Sequence, residues 1–185
     1  TMGLRGFPSF DVSFEDVRVP LENVVGGEAG WNRGWAMLAG AALDVEKLEV
    51  AAMAQGIAEA ALEDAWAYGQ ERRQFGRPIA AHQSVRHALA GAKTKLHAAR
   101  LMLAHAAWLA EMRRPCGVET SMAKLFVTET ARDVVLAAQG VMSAYGYARP
   151  FDMERYVRDI LLFPIIGGTS AIQRNNIANR LGLPR

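Results

Sequence analysis

Glu71-Arg72-Arg73-Gln74-Phe75-Gly76-Arg77-Pro78-Ile79 is the stretch on which the fold turns. Before it, residues 35–70 run without a proline and are rich in Ala, Leu and Glu, all good helix formers. After Pro78 a second helical segment continues to about Arg113. Gly76 and Pro78 punctuate the chain, so these residues read as a short turn between two long helices. Each helix exceeds about 30 residues, or roughly 50 Å at 1.5 Å per residue. Long helices joined by short Gly/Pro turns pack as an antiparallel bundle.

Outward from this centre the pattern holds on one side and changes on the other. A third helix is expected from about Glu119 to Val141, and shorter ones over about 152–162 and 169–181. The apolar positions do not keep a strict heptad, which argues against a solvated coiled coil. Toward the beginning, Phe10, Val12 and Phe14 alternate with Ser9, Asp11 and Ser13, the period of a half-buried strand. Glu15 to Pro20 continues in an extended style, and Gly26-Gly27 and Gly30 mark a loop. Two strands rarely form a stable sheet alone, so their neighbours are expected in sequence outside this chain. The expected fold class is therefore all-α: an antiparallel four-helix-type bundle over 31–185, preceded by a short β-strand remnant and linker over 1–30.

Composition is that of an ordinary globular domain. The chain has 185 residues, 51% hydrophobic and 22% charged, with a net charge of +2. That charge argues for neither nucleic acid nor an anionic membrane surface as partner. No apolar run approaches the ~20 residues a membrane span needs. The single cysteine, Cys116, has no partner for an internal disulfide and reads as a surface thiol. With no export signal in Thr1-Met2-Gly3-Leu4-Arg5-Gly6, a cytoplasmic location is expected, and the start reads as a cut inside a longer protein. His82, His87, His97 and His105 lie along one helical segment without matched partners, so no metal site is expected. Gly167-Gly168-Thr169-Ser170 precedes a predicted helix and offers free backbone N–H groups to an anionic or polar ligand; it is equally a plain N-cap.

Five separated motifs carry a resemblance. Glu71 to Ile79, followed by His82-Gln83, resembles the acyl-CoA dehydrogenase signature between the first two long helices of that family's C-terminal domain. Phe14 to Pro20, with Glu22-Asn23-Val24-Val25-Gly26, resembles the exit from its middle β-domain. Tyr145-Gly146-Tyr147, Arg158-Asp159 and Gly168-Thr169-Ser170-Ala171-Ile172-Gln173 resemble its closing segments, in order. The resemblance implies FAD as cofactor, an acyl-CoA thioester as substrate, a homotetramer or mixed tetramer, and electron-transfer flavoprotein as electron acceptor. It implies that Arg72, Gln74, Phe75 and Gln83 reach the FAD of a neighbouring subunit, arginine suiting a pyrophosphate through its planar fork. Thr169 and Ser170 match residues on the flavin's own-subunit side.

Dehydrogenation in this family needs a carboxylate base facing the flavin across the substrate. In many members that glutamate directly precedes Gly-Thr-Ser; here the position is Gly167, which has no side chain to act. In a second arrangement, that of isovaleryl-CoA dehydrogenase, the base sits on the first long helix. There this chain has Leu43-Asp44-Val45-Glu46-Lys47-Leu48, and Glu46 matches the base. Mostly apolar helical neighbours in a closed pocket would push such a carboxylate's pKa upward. Read without the resemblance, Glu46 belongs to a solvated Asp44-Glu46-Lys47-Glu49 face, as such charge clusters on helices usually do.

Asp44, Lys47, Gly167 and Gly168 match positions near the acyl-CoA, the Gly167 backbone N–H holding the thioester carbonyl. Lys47 stands where arginine is usual and lacks its fork. Gly140, with Gln139 one place early, replaces a flavin-contacting glutamine, and a one-residue shift turns a helical side chain by about 100°. Ala171 replaces a common polar residue, and Ile166 a common tyrosine. These departures keep a second reading open: a catalytically silent subunit of a mixed tetramer.

Overall fold

The computed structural model describes residues 1–184. In chain order the elements are α1 (Gly34–Leu38), α2 (Ala41–Glu71), β1 (Arg73–Gln74), β2 (Arg77–Pro78), α3 (Gln83–Glu111), α4 (Gly117–Met142), α5 (Met153–Ile160) and α6 (Ser170–Arg180). The single helix expected from Trp35 is broken at Gly40, whose ψ of −134° is not helical; glycine is the cheapest residue at which to leave a helix. β1 and β2 form an antiparallel hairpin with Arg73 opposite Pro78 and Gln74 opposite Arg77, inside the turn between the two long helices.

Cross-helix contacts fix the directions. Gly69 lies against Leu89 and, further back along α2, Gln55 Nε2 donates to Leu96 O at 3.2 Å, so α2 and α3 run antiparallel. At the other face Lys47 Nζ meets Ser121 Oγ and Thr120 Oγ1 donates to Asp44, start against start, so α4 runs parallel to α2. Arg174 bonds Glu129 and Arg180 crowds Gly117, which sets α6 antiparallel to α4.

The seam of α2 is almost pure alanine. Ala51, Ala54, Ala58, Ala61 and Ala65 recur every three or four residues and are fully buried. Side chains this small let helix axes approach closely. Leu89, Ala92, Leu96 and Ala99 supply the facing stripe of α3, and α4 is buried on nearly every side. Met153, Ile160 and Phe163, all fully buried, close the core from α5 and the turn after it.

The strands expected over residues 9–20 are not formed. Phe10, Val12 and Phe14 instead project from extended backbone and are 70–79% exposed. Alternation reports a capacity for pairing, and a ladder still requires a partner strand, which the described residues do not supply. Only the start of this segment is anchored. Leu4 N–H donates to Asp159 Oδ1 at 2.7 Å, and Arg158 Nη1 donates to Met2 O at 3.0 Å. Gly3 lies flat on α5, where a Cβ would overlap the Arg158 carbonyl.

Lys124 is fully buried in α4, and its Nζ donates to Gly168 O at 2.8 Å. Burial pushes its ammonium pKa down from 10.5 to about 8, opposed in part by the Glu129 carboxylate. Between those two values the unfolded chain binds more protons than the folded one, so stability rises as pH climbs from about 8 to about 10.5. Urea denaturation across that window is expected to show the rise, and Lys124→Met to flatten it. Phe163→Ala should lower stability by roughly 3–5 kcal/mol through the cavity it leaves, measured by the same denaturation at pH 7.

Candidate active site

A cavity of about 440 Å³ opens between the α1–α2 junction and α6. Trp35, Leu43 and Glu46 line one wall, and Gly167, Gly168 and Asn176 the other. Leu43, Glu46 and Lys47 reach it together because residues three and four apart share a helix face. The structure thus brings the expected base beside the expected thioester-holding turn. Glu46 is exposed, so the closed apolar pocket foreseen from sequence is not formed by the described residues alone.

The turn is built from backbone constraints. Gly167 and Gly168 have φ of +61° and +84°, a region that L side chains rarely occupy, and a Cβ on Gly168 would stand 2.7 Å from Gln173 Nε2. Ser170 N–H donates to Pro164 O at 3.0 Å, folding the chain back, and Thr169 Oγ1 caps α6 by accepting the Ile172 N–H at 3.3 Å. Below the turn, Gln173 Nε2 donates to Gly167 O at 2.9 Å and to Gly168 O at 3.0 Å, beside Lys124. Among the described residues, the Ser170 Oγ and Gln173 Oε1 atoms at the start of α6 are buried without a hydrogen-bond partner.

Asp44 and Lys47 are engaged inside the bundle. Lys47 Nζ lies 2.7 Å from Asp44 Oδ1 and 3.2 Å from Ser121 Oγ, leaving its stem at the cavity wall. Arg180 also lines the cavity and approaches Asp44 at 3.5 Å. Its guanidinium lies against Gly117, where any side chain would overlap it. No motif marked Arg180; the signal was only a glycine opening one helix and an arginine ending another. Cys116, expected on the surface, is half-buried at the N-cap of α4. Burial and then Asp44 push its thiol pKa up, away from the depressed values of reactive cysteines.

The remaining expected contacts lie elsewhere. Phe75 is 92% exposed at the hairpin tip with φ of +52°, followed by Gly76 at +80°, the two-residue turn that matches strand twist. His82 holds the hairpin from beneath: its Nε2 lies 3.3 Å from Gln74 O and its Nδ1 3.1 Å from Arg77 Nη2. The tautomer protonated at Nε2 satisfies both contacts. Arg72 lies over the Tyr145 ring, 5.5 Å from its centroid, and Gln83 opens α3 in solvent. From Glu46 to Arg72 the helix climbs roughly 40 Å at 1.5 Å per residue. Arg72, Gln74, Phe75 and Gln83 therefore stand at the opposite end of α2 from Glu46, Thr169 and Ser170. Charge fork, aromatic surface and helix start fit the parts of a flavin dinucleotide, but one copy of the chain does not bring them together. Among the described residues there is no cluster of three or more metal-ligating side chains, and no helix is long and apolar enough to cross a membrane.

Comparison with known proteins agrees with this geometry. The family profile described as acyl-CoA dehydrogenase, C-terminal domain, matches residues 32–182. The chain is 38% identical over 180 residues to the 3-(aryl)acrylate reductase of Clostridium sporogenes, covering 97% of this chain and 47% of that protein. It is equally 38% identical to the caffeyl-CoA reductase–Etf complex subunit of Acetobacterium woodii, covering 97% and 46%. The butyryl-CoA dehydrogenase structure from Megasphaera elsdenii superposes with a TM-score of 0.74 at 35% identity, over 75% of this chain and 36% of that one. The chain thus spans about half the length of the curated relatives it matches. A matching profile across both long helices, the hairpin and the Gly167–Gly168 turn shows that the chain belongs to the acyl-CoA dehydrogenase family, as its C-terminal domain.

Proposed function

We propose that this domain carries the catalytic base and part of the cofactor site of an FAD-dependent enzyme that desaturates an acyl-CoA thioester between its α and β carbons. The observation that carries this reading is that Glu46 and the Gly167–Gly168 turn line one cavity. Gly167 supplies no carboxylate, and Glu46 is the one carboxylate among the residues lining that cavity. In the reaction Glu46 takes the α-proton, while backbone N–H groups of the turn hold the thioester oxygen where negative charge develops. Flavin, when bound, supplies the acceptor for the β-hydride. Thr169 and Ser170 serve that cofactor from this chain, and Arg72, Gln74, Phe75 and Gln83 serve the cofactor of a second copy.

The 40 Å between these two groups supports assembly into an oligomer, a homotetramer by family resemblance, in which each site draws on two chains. Exposed Phe10, Val12 and Phe14 give apolar surface for the rest of the protein to cover. The partner receiving the electrons is an electron-transfer flavoprotein. A base on α2 rather than at Gly167, with Ile166 beside the turn, leaves room for branched or bulky acyl groups. The second reading, a silent subunit, draws on the exposed Glu46 and on Gly140 standing for a flavin-contacting glutamine.

In the complete enzyme, Glu46→Gln is expected to cut turnover of acyl-CoA thioesters by about 10²-fold or more with flavin retained. Retained turnover would remove Glu46 as base, and a wild-type enzyme purified without flavin would favour the silent subunit. Mixed oligomers of Glu46→Gln and Phe75→Ala chains should regain activity that neither parent shows, because one class of site then draws both intact halves. Titrating flavin into residues 1–185 alone should show no tight stoichiometric binding, by fluorescence quenching or calorimetry.

A further inference from the structure

We infer that Lys124 is a positioning residue for this active site: with Gln173 it clamps the two carbonyls of the Gly167–Gly168 turn and so aims the turn's N–H groups at the bound ligand. The inference rests on the dehydrogenase reading above and assigns a task to a side chain outside the cavity wall.

The geometry runs through the planarity of the peptide unit. In a trans peptide the C=O of one residue and the N–H of the next point to opposite sides of the chain. Gly167 O is held by Gln173 at 2.9 Å. Gly168 O is held by Lys124 at 2.8 Å and by Gln173 at 3.0 Å. The N–H groups of Gly168 and Thr169 are therefore turned away from the clamp, and the Gly167 N–H, on the preceding peptide unit, is steadied only through its clamped neighbour. Among the described residues neither donates to a backbone acceptor, whereas Ser170 N–H, next along, is tied to Pro164 O. Gly167 and Gly168 line the cavity that Glu46 also lines. Two glycines at positive φ have the greatest backbone freedom of any residues, so without an anchor these donors would wander. Donors aimed at developing charge are effective only when they need no reorganisation at the moment of reaction.

A purely structural role explains Lys124 poorly. The side chain is fully buried, and among the described residues its one hydrogen-bond acceptor is Gly168 O. Desolvation already pushes its pKa to about 8, so as a core filler it is a costly choice beside methionine of similar length. The Glu129 carboxylate nearby is itself paired with Arg174 and only partly offsets that cost. The amine also carries the positive charge inward from the turn, adding to the pull on the Gly168 carbonyl and polarising the peptide units that present the N–H groups.

The test uses the complete, flavin-loaded enzyme with Lys124→Met, which keeps volume and removes the donor while Gln173 still satisfies Gly168 O. Two readouts are taken. Amide hydrogen exchange of Ser170, whose N–H is tied to Pro164 O across the turn, is followed without substrate and is expected to speed up by at least about tenfold if the turn loses its anchor. The kcat for acyl-CoA dehydrogenation is expected to fall at least about tenfold with KM little changed, the pattern of a lost transition-state interaction. Lys124→Met combined with Gln173→Leu should be less than additive in kcat, since both act on one turn. Unchanged exchange, or kcat within about twofold of wild type in a folded flavin-loaded variant, overturns the inference. Should Lys124→Met not yield flavin-loaded protein, Lys124→Gln takes its place under the same criteria; failure of both overturns the inference in favour of a fold-stabilising role. Glu46→Gln run alongside separates the two claims. An active Glu46→Gln enzyme removes the base but leaves the exchange result standing, and a dead one beside a fully active Lys124→Met enzyme removes only the clamp.

Discussion

The enclosure of α4 is the constraint on which the rest of the structure depends. α2, α3, α5 and α6 all pack against this one helix. A rod covered on most of its sides must present small or compact side chains on the covered faces, and α4 does so with Gly117, Thr120, Ser121, Ala123, Val127, Thr128, Ala131, Val134, Val135 and Ala138. Its neighbours match it, most plainly in the alanine seam of α2. Hydroxyl groups inside such a helix would be unsatisfied in an oily core, and here they bond their own preceding turn: Ser121 to Gly117 O at 2.8 Å and Thr128 to Lys124 O at 2.8 Å. The same packing turns Lys124, the fully buried charged side chain of α4, toward a gap in its cover at the loop before α6. Packing and chemistry meet at that gap.

The site is assembled from pieces of different stiffness. Glu46 stands on a long helix pinned by Asp44, Lys47, Thr120 and Ser121, so its position follows the bundle. The Gly167–Gly168 turn is glycine backbone, stiffened from beneath by side chains of α4 and α6. The hairpin is different again, an aromatic residue at positive φ and almost wholly in water. A bulky side chain in that conformation costs on the order of 1–2 kcal/mol. Strain and exposure together at one tip are accounted for if another surface covers it, as the proposed division of the flavin contacts between two chains would require.

The long helices were legible because their propensity is strong and Gly76 and Pro78 part the first two: α2, α3 and α4 end within two residues of the expected Gln70, Arg113 and Val141. Gly40 was not recognised as a break because one glycine amid alanines and leucines is a weak signal beside the surrounding propensity. The strands over 9–20 were misread for a different reason, since alternation belongs to the segment whereas pairing belongs to its neighbours. Within the site, Glu46 and the Gly167–Gly168 turn were legible only through family resemblance, as periodicity alone left Glu46 on a solvated face. Lys124 and Arg180 escaped altogether. A lysine between Ala123 and Leu125 looks like the polar side of an amphipathic helix, and burial on all sides is a tertiary fact that no local pattern encodes. Arg158-Asp159 was visible as a motif, and the structure adds its task of fastening the backbone of Met2 and Leu4.

The length of α2 has a consequence of its own. This helix is a ruler with Glu46 near one mark and the hairpin at the other, the marks that the proposed function assigns to two different cofactors. One residue inserted between them would lengthen the ruler by only 1.5 Å but rotate its two ends against each other by about 100°. The assembly would then have to choose which pocket to complete. Segments such as the loops after α3 and α4 carry no such phase and can change length freely, whereas the 31 residues of α2 are fixed in number by geometry rather than by the identity of any one of them.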